Sequence, residues 1–183
     1  TGFYQAVFRQ FGIVSVSDID EMADCVRALG TCRRARGNRV GIVTISGGAG
    51  IVLADRCSEL GLDVGEFADD TLDRLRPKLP EFASFSNPLD VTAGAITDPE
   101  GLVDALQIVV DDPSVDMLAL ALAATSGRAG TIAAEAIVLL AGKTDMPILV
   151  AWNAPPSLNA EAYRILSDAG IPVYASPVRC ARG

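Results

Sequence analysis

The sequence predicts an α/β fold in which a doubly wound parallel sheet carries helices on both faces. Strand-like apolar runs alternate with helix-like amphipathic segments along most of the chain, a pattern that is typical of this class. The runs at 40–45 and 117–123 are almost entirely apolar, as expected for strands that are buried on both faces. Because a helix-like segment follows each of these strands, the crossovers are expected to be right-handed.

The first 36 residues predict a short helix–strand–helix segment that is too small to form a core of its own. A helical pattern at 2–11 ends at Gly12, and the β-branched run at 13–16 favours a short strand. Ser17, followed by acidic residues, marks the start of a second helix. The apolar face of that helix comprises Ile19, Met22, Ala23, Val26 and Leu29. The polar, basic stretch at 31–38 predicts a linker.

The stretch after the linker predicts a strand at 40–45, a glycine turn at 46–50 and a helix at 51–60. The turn consists of Ser46, Gly47, Gly48, Ala49 and Gly50. A helix start carries unpaired backbone N–H groups and a partial positive charge, and glycines let an anion approach those donors. The turn therefore predicts a phosphate-binding site. Tight packing of the helix on the strand explains the same glycines, and the residues alone leave both interpretations open.

The remaining elements follow in alternation. The predicted strands lie at 62–64, 117–123, 146–152 and 171–174. The predicted helices lie at 71–79, 99–110, 130–141 and 160–169, and another begins at 176–177. The stretch at 80–87 is expected to be irregular. Ligands of such sheets bind at the carboxyl ends of the strands, so the residues that follow each strand are candidates for a site.

Two further groups of polar residues are candidates for lining a cavity at that edge. Asn87, Pro88, Asp90 and Thr92 combine a turn-forming Asn-Pro pair with a carboxylate. Asp90 could orient backbone amides or balance a cationic group, or it could be an acid of a turn. The second group comprises Thr125, Ser126 and Asn153, which follow two strands and could reach a ligand or serve as helix caps and loop residues.

Composition excludes several classes of function. The net charge of −8 and the pI of about 4.5 disfavour nucleic acid and anionic membranes as partners. No apolar run reaches the roughly 18 residues of a membrane span, and no signal peptide is visible, so a cytoplasmic location is expected. The absence of histidine excludes Ser-His hydrolase chemistry, and the four cysteines form no close pair, so no metal site is expected.

Four stretches together resemble the NDP-forming acyl-CoA synthetases, which are related to succinyl-CoA synthetase. They read FYQAVFRQFGIVSVSDIDEMADCVRAL, GNRVGIVTISGGAGIVLAD, NPLDVTAGA and AGIPVYASP, and they span essentially the whole chain in the family's order. The resemblance implies a reaction in which acid, CoA and ATP are interconverted with acyl-CoA, ADP and phosphate. A phosphohistidine carries the phosphoryl group between distant sites in such enzymes.

The resemblance also implies a division of the chain. Residues 1–36 are similar to the tail of a preceding CoA-ligase domain with a linker, and residues 38–183 are similar to a flavodoxin-like domain. The phosphorylated histidine of the family lies in a loop that would precede Thr1, so no catalytic residue is expected within this chain.

The resemblance assigns roles to two of the motifs. The glycine turn faces the phosphohistidine in the family, and Ser46 stands where many members have Asn or Ala. Asn87, Pro88 and Asp90 match the Asn-Pro-x-Asp stretch that lines the same cavity. Phosphate is then the one ligand expected for this chain, whereas the parent enzyme is expected to use CoA, ATP or ADP, and Mg²⁺.

The expected partners are the phosphohistidine loop and the ATP-grasp module of the same enzyme, and a homo-oligomer stays open. On this basis the isolated chain is expected to have no synthetase activity. Two alternatives remain at the level of sequence. The first is a synthetase-like, acyl-CoA-sensing region of a protein acetyltransferase. The second is a flavodoxin-like module that binds a small ligand, for which only Trp152 is suitably placed to contact a flavin.

Overall fold

Five parallel strands form a single sheet in the computed structural model, which describes residues 2–31, 33–81 and 83–183. The strands are β1 (Val40–Thr44), β2 (Leu89–Asp90), β3 (Met117–Ala121), β4 (Ile148–Ala151) and β5 (Val173–Tyr174). Their order across the sheet is β2-β1-β3-β4-β5, the order of flavodoxin-like sheets. This arrangement confirms the predicted α/β fold.

Eight helices accompany the sheet within the described residues. They are α1 (Gly2–Phe11), α2 (Ile19–Thr31), α3 (Gly47–Glu59), α4 (Asp69–Leu75), α5 (Pro99–Val110), α6 (Gly127–Ala141), α7 (Ala160–Asp168) and α8 (Pro177–Arg182). Short 3-10 helices lie at Arg76–Lys78, Ala93–Thr97 and Pro156–Leu158. None of these helices has the length and apolar character needed to span a bilayer.

The core lies on both faces of the sheet because alternate strand residues point in opposite directions. Val43 of β1 belongs to one apolar cluster, which also contains buried residues of α4, α5, α6 and α7. Ile42, its neighbour, belongs to the opposite cluster with Leu53 and Cys57 of α3 and Cys180 of α8. Helices therefore cover both faces, as the apolar strand runs predicted.

The predicted strand at 13–16 is wrong. Within residues 2–31 the structure has a helix–loop–helix segment, in which Ile13 and Val14 are 51% and 57% exposed. A strand needs a hydrogen-bonded neighbour, and the amide of Ile13 instead donates to the carbonyl of Phe8 at the end of α1 (2.8 Å). β-branched composition alone therefore did not determine this conformation.

The predicted strand at 62–64 is reduced to a single bridge between Arg39 and Asp63. The edge of β1 beyond that bridge is occupied by the side chain of Asn87. Its Oδ1 accepts a hydrogen bond from the amide of Ile42 (2.9 Å), and its Nδ2 donates to the carbonyls of Val40 (2.8 Å) and Gly65 (2.9 Å). A side-chain amide thus completes the edge where a longer strand was expected.

Several element boundaries also differ from the prediction. The helix expected at 71–79 ends at Leu75 and continues as a 3-10 turn, because Pro77 has no amide hydrogen to donate. β2 was not predicted, and its two residues give little periodic signal. The most consequential shift is at α3, which begins at Gly47 rather than at residue 51, so the glycines form its first turn.

Candidate functional site

The first turn of α3 presents three backbone donors at the carboxyl end of β1. Ser46 precedes the helix in an extended conformation (φ −151°, ψ 109°), and its side chain makes no capping hydrogen bond. Among the described residues, the amides of Gly47, Gly48 and Ala49 have no acceptor, whereas the amide of Gly50 donates to the carbonyl of Ser46 (3.1 Å). Such a helix N-terminus favours an anion because its donors and its partial positive charge coincide.

Thr44, the last residue of β1, holds this turn in position through hydrogen bonds. The Thr44 hydroxyl oxygen accepts a hydrogen bond from the amide of Ser46 (3.0 Å) and lies 2.8 Å from the carbonyl oxygen of the same residue. Thr44 is 1% exposed, so its side chain is held by the surrounding core. The Ser46 amide is consequently used within the protein, and the free donors begin at Gly47.

The two interpretations of the glycine turn apply to different residues. A Cβ atom on Gly50 would lie 2.7 Å from Cγ2 of Thr44 and 3.3 Å from Cβ of Pro88, so Gly50 allows the helix to pack closely. A Cβ atom on Gly48 would have no neighbour within 4 Å, and both Gly47 and Gly48 are exposed. Packing explains Gly50, whereas Gly47 and Gly48 leave the helix start open to a ligand.

The segment at 87–92 brings Asp90 beside the turn. The Asp90 Oδ1 atom accepts a hydrogen bond from the amide of Thr92 (2.9 Å), which is the geometry of an acid in a turn. Its Oδ2 atom lies 3.3 Å from the place where Gly47 would carry a Cβ atom. Asp90 is therefore both a turn residue and a neighbour of the free amides. The side chain of Asn87, which precedes the cis peptide bond to Pro88, is engaged in the sheet edge.

Asn159, which was not among the residues predicted from sequence, holds the turn after β3 in position. Asn159 is 3% exposed, its Nδ2 donates to the carbonyl of Thr125 (3.0 Å), and its Oδ1 accepts from the amide of Gly127 (3.1 Å). Trp152 Nε1 donates to the same Thr125 carbonyl (2.9 Å). Asn159 precedes α7 but makes no side-chain capping bond there, because its side chain is hydrogen-bonded to the turn after β3.

The remaining candidates lie along the same edge of the sheet. Ser126 precedes α6 without a side-chain capping bond, and the exposed Asn153 follows β4. Because β1, β3 and β4 are consecutive in the sheet, Asn153 follows a strand about 10 Å from β1. The structure places Pro88 and Asp90 directly against the glycine turn, whereas Thr125 and Ser126 follow the neighbouring strand β3 and Asn153 follows the next strand, β4. Their role in binding stays a prediction.

The described residues offer little other chemistry at this edge. No group of three His, Cys, Asp or Glu side chains is arranged to hold a metal ion within residues 2–31, 33–81 and 83–183. Burial in α3 raises the pKa of the Cys57 thiol to about 11, so that thiol stays protonated near neutral pH. The arrangement at the start of α3 can therefore bind and orient an anion.

Residues 40–178 match the family described as Ligase-CoA domain. The ADP-forming acetate–CoA ligase I of Archaeoglobus fulgidus is 34% identical over 98% of this chain and 24% of its own length. The alpha subunit of the ADP-forming acetate–CoA ligase II of Pyrococcus furiosus is 33% identical over 95% of this chain and 38% of its own length. The chain thus spans between a quarter and two fifths of these relatives.

Solved structures agree with this result. A crystal structure of a Pyrococcus horikoshii OT3 protein matches with a TM-score of 0.89 and 31% identity, covering 99% of this chain and 42% of that one. A dinucleotide-forming acetyl-coenzyme A synthetase of Candidatus Korarchaeum cryptofilum, solved in complex with phosphate and ADP, has a TM-score of 0.86. At 24% identity, over 99% of this chain and 39% of its own, this second likeness supports the fold alone. Because the family match covers most of the chain, the protein belongs to the Ligase-CoA domain family.

Proposed function

We propose that this chain is part of an NDP-forming acyl-CoA synthetase and that the N-terminus of α3 holds the phosphoryl group during its transfer. The reaction interconverts acid, CoA and ATP with acyl-CoA, ADP and phosphate through a phosphohistidine. The relatives named ADP-forming acetate–CoA ligases support this assignment. The observation that carries it is the set of three amides, at Gly47, Gly48 and Ala49, that have no acceptor among the described residues.

The chemistry of such a site is electrostatic. A phosphoryl group in transfer carries negative charge on its oxygens, and oriented amides at a helix start stabilise that charge without a lysine. The Ser46 hydroxyl, which makes no capping bond, would add a fourth donor. Since the chain contains no histidine, the phosphohistidine must be delivered by another part of the enzyme.

Asp90 has a specific place in this proposal. Its carboxylate beside Gly47 would repel free inorganic phosphate, but it would attract the protonated ring of a histidine that carries the phosphoryl group. The remaining residues that we propose to line the cavity are Pro88, Thr92, Thr125, Ser126 and Asn153, whereas Asn87 would position the segment through its hydrogen bonds to Val40 and Ile42. The cavity would then favour a phosphohistidine over free phosphate.

The N-terminal segment supports a second part of the proposal, that residues 1–36 are the tail of a preceding domain and residues 38–183 form the flavodoxin-like domain. α1 buries none of its residues, and Phe3 and Phe11 are 78% and 70% exposed. Exposed aromatic side chains of this kind usually face another folded body. In the whole enzyme that folded body and an ATP-grasp module would be the partners of this chain. CoA, ATP or ADP, and Mg²⁺ would bind to other parts of the enzyme. We propose a cytoplasmic location for the enzyme.

Titration of the chain with phosphate, followed by the NMR shifts of its backbone amides, tests the proposal. We expect the amide shifts of Gly47, Gly48 and Ala49 to saturate at tens of millimolar phosphate, because the Asp90 carboxylate lowers the affinity for phosphate. Chloride at the same ionic strength should produce no saturable shift at these amides. No response of the three amides to phosphate would contradict the proposal.

A matched pair of variants isolates a single donor. Gly47→Pro removes one amide hydrogen, and proline is tolerated at the first helical position after an extended residue such as Ser46. Gly47→Ala adds the same Cβ atom but keeps the amide. We expect phosphate to bind Gly47→Pro about tenfold more weakly than Gly47→Ala, since a hydrogen bond to a charged group is worth about 1.5 kcal/mol or more. Equal affinities would exclude the amide as a ligand.

A further inference from the structure

The inner face of α2 is acidic, and its apolar face points away from the sheet. The stripe that faces the rest of the chain contains Glu21, Asp24 and Ala28, and Asp24 is 4% exposed. The apolar residues of the helix are Ile19, Met22, Val26 and Leu29, which are 75%, 47%, 66% and 77% exposed. A helix that packs on a core normally shows the reverse pattern. The contact between α2 and the sheet domain therefore has little apolar content.

Arginines of α8 hold this acidic stripe. Arg179 Nε donates to the Asp24 carboxylate, and Arg179 Nη2 donates to the carbonyl of Asp20 (3.4 Å). Arg182 Nη1 lies 3.3 Å from Oε1 of Glu21. The hydrogen bond that Arg179 donates to Asp24 raises the pKa of Arg179, and its guanidinium stays charged at any ordinary pH. Charge complementarity is thus the main interaction between the two helices.

A second contact comes from α2 itself. Arg27 Nη1 lies 3.3 Å from Oδ1 of Asp24 and donates to the carbonyl of Val173 on the edge strand β5 (2.9 Å). The buried Asp24 carboxylate is consequently held between two guanidinium groups. A buried carboxylate that loses its partners is costly to keep out of water, so the structure favours release of α2 over an unpaired Asp24.

The partners of Asp24 and Glu21 are open to solvent, since the side chains of Arg179 and Arg182 are 35% and 39% exposed. Ions of the solution can therefore reach the guanidinium side of these pairs and compete with the carboxylates for it. We propose that α2 is joined to α8 by a reversible ionic contact, so that residues 2–31 and the sheet domain are two bodies whose docking is salt-sensitive. We call this contact the ionic joint.

Hydrogen–deuterium exchange of the full 183-residue chain tests the ionic joint. We compare about 0.05 M with about 1 M NaCl, where the screening length falls to about 3 Å. The amides of α2 should exchange at least about tenfold faster at high salt, while those of β1 and β3 keep their protection. Protection of α2 that does not change with salt, or that is absent at low salt, would overturn the proposal.

Two arginine variants separate the joint from a general effect of lost charge. Arg179→Gln removes the partner of Asp24 that α8 supplies and leaves only Arg27 of α2 itself, so it should give fast exchange in α2 already at low salt. Arg74→Gln removes a similarly exposed arginine that pairs with Asp70 and Asp111, remote from α2, and should leave α2 protected. Loss of α2 protection only together with that of β3 would show a single cooperative unit and overturn the proposal. If Arg179→Gln does not fold, the salt comparison on the unchanged chain decides.

Discussion

Gly48 and Gly50 lie two residues apart in the first turn of α3, yet their environments predict opposite effects of an added methyl group. Gly50→Ala places a Cβ atom 2.7 Å from Cγ2 of Thr44, and overpacking of this kind costs about 1–3 kcal/mol. In Gly48→Ala the added Cβ atom has no neighbour within 4 Å. The free energy of unfolding should rise by up to about 1 kcal/mol, because alanine has a better helix propensity than glycine. We expect the melting temperature to fall for Gly50→Ala and to stay or rise for Gly48→Ala.

Thermal unfolding of both variants measures this difference, and each kcal/mol corresponds to about 2–4 °C for a chain of this size. Equal melting temperatures would show that Gly50 has room for a side chain and that packing does not explain it. The comparison also separates stability from binding, because the Cβ atom of Gly48 tilts toward the helix start, where the proposed ligand lies.

The sequence predicted only some of the residues that form the candidate site. The glycine turn and its neighbour Asp90 were recognised because glycine and an Asn-Pro-x-Asp stretch have strong local meaning. Sequence could not show which amides stay free, because that depends on the Thr44 hydroxyl, which accepts from the amide of Ser46, and on the Ser46 carbonyl, which accepts from Gly50. Asn159 was missed because its partners lie more than 30 residues away.

At the scale of elements, an ion pair fixes the start of β1 against the start of β3. Arg39 Nε and Nη2 each lie 2.8 Å from a carboxylate oxygen of Asp116, and the amide of Arg39 donates to Oδ2 (3.1 Å). These hydrogen bonds lower the pKa of Asp116 to about 2. An unfolded aspartate has a pKa of about 3.9, so the pair stabilises the fold above that pH and loses its effect as pH falls toward about 2.

Denaturant unfolding between about pH 6 and pH 2 checks this expectation. Asp116→Asn should lower the free energy of unfolding near neutral pH, and its difference from the unchanged chain should shrink as the medium becomes acidic. Asp145→Asn is the control, because the side chain of Asp145 is 91% exposed and its one ion pair among the described residues is with Arg33. A difference for Asp116→Asn that stays constant over the whole pH range would exclude ionisation as its cause.

Element prediction succeeded where periodicity was strong and failed where tertiary contacts decided. The strands β1, β3 and β4 were recognised because residues buried on both faces leave a continuous apolar run. The run at 13–16 has the same local composition, but no neighbouring strand pairs with it among the described residues. β2 was missed because its position follows from pairing of Leu89 with Val43, not from any local pattern.

At the scale of the whole molecule, the spacing of apolar residues in α2 predicts an apolar face but not the surface that this face contacts. Hydrophobic spacing predicted one apolar face on this helix, made of Ile19, Met22, Ala23, Val26 and Leu29. In the structure that face is exposed, and the helix docks through Asp24 instead. The amphipathic pattern identified the face correctly, but it does not indicate which other domain or protein packs against that face. The two-sided character of α2 agrees with a segment that lies between two folded units.

The absence of histidine yields the last prediction, which concerns the chain as a whole. The proposed reaction passes its phosphoryl group through a phosphohistidine, and this chain has none. We therefore expect the purified chain to form no acyl-CoA from acetate, CoA, ATP and Mg²⁺ above a protein-free background, as measured by chromatography of the thioester. The response of the Gly47–Ala49 amides to phosphate in the same preparation serves as the control that the site is folded. Turnover by this histidine-free chain would contradict a relay in which α3 only receives the phosphoryl group, because the nucleophile would then have to belong to this chain.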